Sequence, residues 1–137
     1  MKILIELPTW LGDSVMASPA IENIINHFHE PEVTIIGSKI SIEALKHHPK
    51  ILETRVLNKK NISIYKAAKK LGEFDFFFSF RGSLRSKFLK FFIKSNNKYQ
   101  YDKAIYKNRH QVEKYNDFIN EFIGQNALNI SYHFSYK

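Results

Sequence analysis

Apolar segments of two kinds alternate along the chain, and this alternation constrains the fold more than any other feature. Short continuous runs, such as residues 1–7 and 75–80, are typical of strands that are covered on both faces. Between such runs, apolar residues recur every three or four positions, which is the helical period. The two kinds alternate about five times, a pattern typical of α/β proteins. The sequence therefore predicts a doubly wound, mainly parallel Rossmann-like sheet.

Element boundaries are predicted from the residues that stop strands and helices. Prolines and glycines follow most of the apolar segments, and Gly72 and Gly124 are expected to end helices. The predicted strands are 1–7, 33–37, 53–57, 75–80 and 98–101, and the later helices are 38–47, 64–71, 84–92 and 112–124. The start of the first helix stays open. A start near Asp13 would put Pro19 inside the helix and kink it, whereas Ser18 would cap a helix that begins at Pro19.

Length and composition favour one cytoplasmic domain. The chain has 137 residues, of which 44% are hydrophobic, so it is long enough to bury a core. Because there is no cysteine, disulfides and thiolate metal sites are excluded. No credible metal set is formed by His27, His29, His47, His48 and His133. No apolar run approaches the roughly 20 residues of a membrane span, and the N-terminus lacks a signal-peptide pattern.

The chain carries a formal net charge of +8, from 21 Lys and Arg against 13 Asp and Glu. Such a surplus favours an anionic partner of one of three classes: nucleic acid, anionic lipid or a phosphorylated substrate. The lysines are spread along the chain, so a merely lysine-rich surface is an equal alternative.

Two loops are predicted at the carboxyl ends of strands, where open α/β sheets bind their ligands. The first loop, residues 9–14, contains Trp10, Gly12, Asp13 and Ser14. It leads into a helix N-terminus, which favours negative groups. Asp13 is either the centre of a chemical site or an N-cap of the helix. Gly12 either belongs to that site or only permits a tight turn. Trp10 would stack on a sugar ring or cover the sheet edge.

The second loop, residues 79–87, is basic and rich in hydroxyl groups. Its candidate binding residues are Arg81, Ser83, Arg85, Ser86 and Lys87. Guanidinium, ammonium and hydroxyl groups are the donors that recognise phosphate and carboxylate. The alternative is a solvated helix start with basic side chains.

Three stretches carry a resemblance to a known family. The opening MKILIELPTWLGDSVMASPAI, with its Pro-x-Trp-x-Gly-Asp turn, resembles the start of glycosyltransferase family 9, the ADP-heptose:lipopolysaccharide heptosyltransferases, and most closely the heptosyltransferase II branch. The stretches FDFFFSFRGSLRSK and HQVEKY are similar to later parts of the same family. The resemblance extends to about residue 123.

The resemblance implies a domain organisation. Members of the family have two Rossmann-like domains in the GT-B arrangement, of which the first binds the lipid A–core acceptor and the second binds the ADP-sugar. Residues 1–125 would be the acceptor-binding domain, and residues 126–137 a tail or the start of an interdomain linker. The ADP-sugar domain is expected to be absent, so the chain alone should not transfer sugar. No cofactor or metal is expected, and the donor ADP-heptose would bind the missing domain.

The resemblance also implies roles and partners. Asp13 would be the general base that takes the proton from an acceptor hydroxyl, and the second loop would hold phosphate or Kdo carboxylate. The expected partner is the anionic lipid A–core glycolipid, met peripherally at the cytoplasmic face of the inner membrane. The isolated half is expected to self-associate, and nucleic acid is not expected.

Other nucleotide-binding classes lack their motifs here. The five glycines never cluster as in the dinucleotide fingerprint or the P-loop. A non-enzymatic basic α/β module that binds nucleic acid or another polyanion remains the alternative, although most aromatic residues follow core periodicities.

Overall fold

The computed structural model describes residues 1–57, 64–102 and 110–131, with side chains described as far as residue 123. Five strands and five helices alternate in this part of the chain. They are β1 (Lys2–Glu6), α1 (Leu11–His27), β2 (Glu32–Gly37), α2 (Lys39–Glu43), β3 (Ile51–Val56), α3 (Ile64–Leu71), β4 (Glu73–Ser79), α4 (Leu84–Phe92), β5 (Lys94–Gln100) and α5 (Gln111–Ser131).

The strands form one parallel sheet in the order β3-β2-β1-β4-β5. One apolar core joins α1, α2 and α5 to one face of the sheet, and a second joins α3 and α4 to the other face. The predicted fold is therefore confirmed, since the sheet is parallel and doubly wound.

The central strands β1 and β4 are covered on both faces. Ile3 and Ile5 pack into the core under α1 and α5, whereas Leu4 packs into the core under α3 and α4. Phe77 and Phe78 divide between the two cores in the same way, and both are fully buried. The alternation of side chains along a strand explains this division. It also explains why these two strands read as continuous apolar runs, as expected from the sequence.

Helix α1 begins at Leu11 and runs through Pro19, so the alternative in which Ser18 caps a helix starting at Pro19 is wrong. A proline lacks the N–H that would bond the carbonyl four residues earlier, which here belongs to Val15. The hydroxyl of Ser18 donates to that carbonyl at 2.6 Å. The serine thus satisfies the acceptor that the proline leaves without its helical partner.

Some element boundaries agree with the sequence predictions, and others differ from them. Gly72 has a φ of +88° and follows the end of α3, which confirms its predicted role as a helix stop. The predicted helix end at Gly124 is wrong, because α5 continues to Ser131. Strand β5 begins at Lys94, earlier than predicted. Its sequence KSNNKYQ is polar because it is an edge strand, so no apolar pattern marks where it starts. The division into residues 1–125 and 126–137 stays a prediction.

Helix α4 has its predicted bounds but turns an unexpected side towards the core. Its buried residues are Ser86 and Leu89, whereas Leu84, Phe88 and Phe91 are exposed. The expectation that aromatic residues follow core periodicities is therefore wrong for this helix. Its aromatic stripe faces outwards.

Candidate active site

The two candidate loops lie at the same edge of the sheet because β1 and β4 are neighbours. Glu6 pairs in register with Ser79, and the backbone N–H of Phe80 donates to the carbonyl of Glu6 at 3.0 Å. Strands β2 and β3 lie on one side of β1 in the sheet, and strands β4 and β5 lie on the other side. This is a topological switch point, the place where such sheets form a ligand crevice.

Three serine hydroxyls fix the loop after β1. Ser14 donates to the carbonyl of Pro8 at 3.2 Å, and Ser38 donates to that of Thr9 at 3.0 Å. Ser41 reaches both carbonyls, at 2.5 and 2.8 Å. Ser14 is fully buried, so its hydroxyl points into the loop and supports it. Its predicted contact with an acceptor stays a prediction.

Asp13 is the third residue of α1 and lies in its first turn. The N-cap position belongs to Trp10, whose side chain makes no capping bond, so the N-cap interpretation of Asp13 is wrong. A carboxylate in the first turn interacts favourably with the positive end of the helix dipole. The strand-to-helix junction thus presents a half-buried carboxylate beside an exposed Trp10 ring, which is 68% accessible.

Gly12 is helical, and no atom lies within 4 Å of the position that a Cβ would occupy. The tight-turn interpretation of this glycine is therefore wrong. The chain's own packing in the described residues does not require glycine here. The missing side chain leaves open space next to Asp13 at the helix start.

Two buried tyrosines lie close to Asp13 on the side of α5. Burial raises the pKa of Tyr115 well above its usual value, and the nearby charge of Asp13 raises it further. Burial is also the main cause of the raised pKa of Tyr101, to which Asp13 again contributes. Their rings are 5.0 Å apart, and Gln111 donates to the Tyr101 hydroxyl at 3.4 Å. Both phenols therefore stay neutral near the carboxylate at ordinary pH.

Neither tyrosine was a predicted site residue. Gln111 and Tyr115 belong to the HQVEKY stretch, so a signal for Tyr115 was present in the sequence. His110, which opens that stretch, is exposed. Tyr101 follows β5 and had no comparable signal.

The second loop begins with a buried polar pair. Ser79 donates to Oε1 of Glu6 at 2.6 Å, and Nη1 of Arg81 lies 3.8 Å from Oε2 of the same carboxyl. Burial raises the pKa of Glu6, while Ser79, Arg81, Ser86 and Arg85 oppose that shift. Sequence reasoning missed Glu6 as a site residue. The signal was a single acid inside an otherwise apolar strand.

The remaining residues of the basic loop point in different directions. Ser83 is exposed and caps α4 by accepting from the backbone N–H of Ser86 at 3.2 Å, whereas Ser86 itself is buried. Lys87 is exposed. Arg85 lines a pocket of about 110 Å³ together with Glu6 and two further cations, Arg55 and Lys70.

The site thus has two sides. Asp13 lies near Tyr101 and Tyr115, on the side of α1 and α5, whereas Glu6 and Arg85 line the pocket on the side of α3 and α4. The predicted residues share one edge of the sheet, as expected, but they flank the strand ends on opposite faces. A ligand that uses both sides must cross the ends of β1 and β4.

In the part of the chain that the structure describes, no three His, Cys, Asp or Glu side chains come together as a metal site. The prediction that no metal takes part stays a prediction. Among the same residues, no helix combines the length and apolar character needed to cross a membrane.

Comparison with known proteins gives a consistent result. No family model matches the chain. Two curated proteins named lipooligosaccharide heptosyltransferase 2, from Campylobacter jejuni serotypes O:2 and O:6, are 41% and 38% identical to it over 98% of its length. The chain spans 41% of the length of each.

Solved structures share the fold at low sequence identity. A glycosyl transferase family 9 protein from Veillonella parvula has a TM-score of 0.73 at 17% identity, over 88% of this chain and 40% of that one. The E. coli heptosyltransferase WaaC with ADP-2-deoxy-2-fluoro heptose has a TM-score of 0.71 at 15% identity, over 90% of this chain and 49% of the other. The resemblance to family 9 heptosyltransferases that the sequence motifs indicate is thus confirmed, over the part of those proteins that the chain matches.

Proposed function

We propose that the chain is the acceptor-binding part of an inverting glycosyltransferase that moves heptose from ADP-heptose to the inner core of lipopolysaccharide. One observation carries the proposal. Asp13 lies in the first turn of α1 at the switch point of the sheet, in a chain 41% identical over 98% of its length to a lipooligosaccharide heptosyltransferase 2.

The proposed role of Asp13 is general base. A sugar hydroxyl is a poor nucleophile, and a positioned carboxylate that removes its proton as the new bond forms typically contributes ~10²–10⁴-fold. A single displacement at the anomeric carbon inverts its configuration. The position of Asp13 in a first helical turn supports this role, because a fixed backbone holds the carboxylate in place.

The proposed acceptor contacts divide by chemistry. Exposed Trp10 offers a flat surface for a sugar ring, and the open space at Gly12 lets a ligand approach the helix start. Arg81, Ser83, Arg85 and Lys87 supply donors for phosphate or carboxylate groups. Ser14 and Ser86 are buried, so we propose that they hold the two loops in shape.

The donor is expected to bind the part of the relatives that this chain does not match, so the chain alone should not transfer sugar. The proposed setting is the cytoplasmic face of the inner membrane, where the anionic glycolipid acceptor would be met. The alternative of a nucleic-acid-binding module is not favoured, because the relatives found are heptosyltransferases.

The test is an amide NMR titration with a phosphorylated heptosyl-Kdo core oligosaccharide, and separately with ADP. We expect shifts at residues 10–14 and 81–87 with the oligosaccharide, and little response to ADP. The dephosphorylated oligosaccharide is the matched control and should shift residues 81–87 less. Shifts at these loops with ADP alone would overturn the proposal in favour of nucleotide binding.

A further inference from the structure

The outer side of α4 is apolar. Leu84, Phe88 and Phe91 are 70%, 49% and 76% accessible, and they follow one another at intervals of four and three residues. They form one outward stripe, because this spacing places residues on one face of a helix. Ser86 and Leu89 form the inward stripe. A surface helix ordinarily exposes a polar face instead.

The apolar surface continues onto α3. The ring of Phe92 lies 5.2 Å from that of Phe91 and 5.4 Å from that of Tyr65, both edge to face. Tyr65 is 54% accessible and Phe92 is 37% accessible. We call this surface the aromatic face; it consists of Tyr65, Leu84, Phe88, Phe91 and Phe92. Single exposed apolar residues are ordinary, but a contiguous group of this kind marks an interaction surface.

The helices that carry the aromatic face are basic. The helices α3 and α4 contain no Asp or Glu, and their cations are Lys66, Lys69, Lys70, Arg85, Lys87 and Lys90. From the neighbouring edge strand, the ammonium group of Lys98 donates to the carbonyl of Phe91 at 3.3 Å. The nearby Glu73 lies at the opposite end of the sheet from the candidate site and pairs with Lys94 at 3.7 Å. The surface is therefore positive as well as apolar.

We infer that the aromatic face docks on an anionic lipid bilayer. Exposed aromatic and aliphatic side chains with lysines beside them fit the headgroup boundary, where rings enter the apolar layer and ammonium groups stay with lipid phosphates. Lysines near an anionic surface add an attraction that salt screens. Charge complementarity selects this partner over a second copy of the same face, which would bring like charges together. The outward Leu84 and Phe91 favour lipid over nucleic acid.

Docking would orient the candidate site. Helix α4 starts at the basic loop, and its outward stripe extends roughly 10 Å along the helix from Leu84 to Phe91. The carboxyl edge of the sheet would then lie close to the bilayer, within reach of a headgroup. This inference takes its setting from the proposed function, but the binding to lipid does not depend on that function.

The test measures cosedimentation of the chain with vesicles of phosphatidylcholine, with and without phosphatidylglycerol. We expect binding to the anionic vesicles only, weakened by salt. The double variant Phe88→Ser/Phe91→Ser removes exposed rings and should weaken binding roughly tenfold or more. Lys69→Gln/Lys90→Gln should weaken it and reduce its salt dependence. The matched control is Ile40→Ser/Leu52→Ser, which removes exposed apolar side chains elsewhere and should bind as the original chain does.

Each other outcome overturns the inference. The inference is wrong if the chain binds neutral vesicles as well as anionic ones, or if the folded chain binds no vesicles. It is also wrong if the control variant loses as much vesicle binding as Phe88→Ser/Phe91→Ser does. Oligonucleotide binding, or dimer formation, that depends on Phe88 and Phe91 while vesicle binding is absent would assign the face to another partner. Titration of Phe88→Ser/Phe91→Ser with the core oligosaccharide separates the two proposals. Unchanged shifts at residues 10–14 keep the proposed function, whatever the vesicles show.

Discussion

Ser79 donates a 2.6 Å hydrogen bond to Glu6, and the two residues are register partners at the ends of adjacent central strands. Both are buried, and burial is the main reason that the pKa of Glu6 is raised. A buried acid between core residues is costly unless it is neutral or well partnered. The hydrogen bond from Ser79 and the raised pKa both reduce this cost, at the point where the two candidate loops begin.

Glu6→Gln is expected to change how stability depends on pH. Because the folded state raises the pKa of Glu6, it binds the proton more tightly than the unfolded chain does. The contribution of Glu6 is therefore greatest below the unfolded value of about 4.5 and is lost as pH rises through the folded pKa. Urea unfolding should show that the free energy of unfolding of the variant increases relative to that of the original chain as pH rises. The gain is at most about 1.4 kcal/mol per pH unit, and Glu73→Gln, exposed at the opposite edge, should show none.

Gly12→Ala and Gly82→Ala are expected to change stability in opposite directions. A Cβ at Gly12 meets open space in a helix, so alanine should stabilise the chain by up to about 0.5–1 kcal/mol. A Cβ at Gly82 would lie 3.2 Å from the carbonyl oxygen of Tyr101, so alanine there should destabilise the chain.

If Gly12 keeps the approach to Asp13 open, its alanine variant should also bind the core oligosaccharide more weakly. Unchanged binding would remove Gly12 from the site.

Ser18 and Pro19 are expected to be energetically coupled. Ser18→Ala removes the hydrogen bond to the Val15 carbonyl and should cost about 0.5–1.5 kcal/mol. Pro19→Ala supplies an N–H for the same carbonyl, so Ser18→Ala should cost much less in that background. A double-mutant cycle by urea unfolding measures the coupling. Equal costs in both backgrounds would show that the serine does not compensate for the proline.

Tyr115→Phe is expected to make the chain more resistant to alkali. The folded state raises the pKa of Tyr115 above its ordinary value of 10.0, so the contribution of its phenol is present below that pH and is lost as pH rises beyond it. Alkaline unfolding followed by circular dichroism should therefore begin at higher pH in the variant. Tyr65→Phe, whose ring is 54% accessible, is the matched control. The same shift in both variants would contradict the explanation.

Asp13→Asn tests the proposed base in a chimera. The chain would replace the matching part of the Campylobacter jejuni heptosyltransferase, to which it is 41% identical. We expect heptose transfer to fall ~10²–10⁴-fold while oligosaccharide binding is kept, because asparagine cannot accept the proton. Asp75→Asn, at the amino-terminal edge of the sheet, should keep the rate. If the Asp13→Asn chimera transfers sugar as fast as the unsubstituted chimera, the base role is excluded.

The fold was predictable where one physical signal dominated. The apolar runs of β1 and β4 predicted buried central strands because both faces of each strand are in fact covered. The polar edge strand β5 and the continuous helix through Pro19 were not predictable in the same way. An edge strand needs few apolar residues, and a hydroxyl satisfies the carbonyl that the proline leaves.

The site was predictable in position more than in detail. Strand ends located the two loops, and helix starts located Asp13 and Ser83. Periodicity pointed to the wrong face of α4, because the apolar stripe of Leu84, Phe88 and Phe91 is exposed, whereas the buried face consists of Ser86 and Leu89. The single acid in the apolar run of β1 was a signal for Glu6, but its interactions follow only from its neighbours in the fold. Tyr101 had no signal in the sequence.

The central place of β1 has a consequence for synthesis on the ribosome. Strand β1 is made before both of its neighbours, and it obtains one from residues 32–37 but the other only from residues 73–79. Until then a highly apolar strand keeps a bare edge, the kind of surface that invites pairing with other nascent chains. Strand β1 thus keeps an open edge until residues 73–79 have left the ribosome, and slowed elongation before that point would lengthen this exposure.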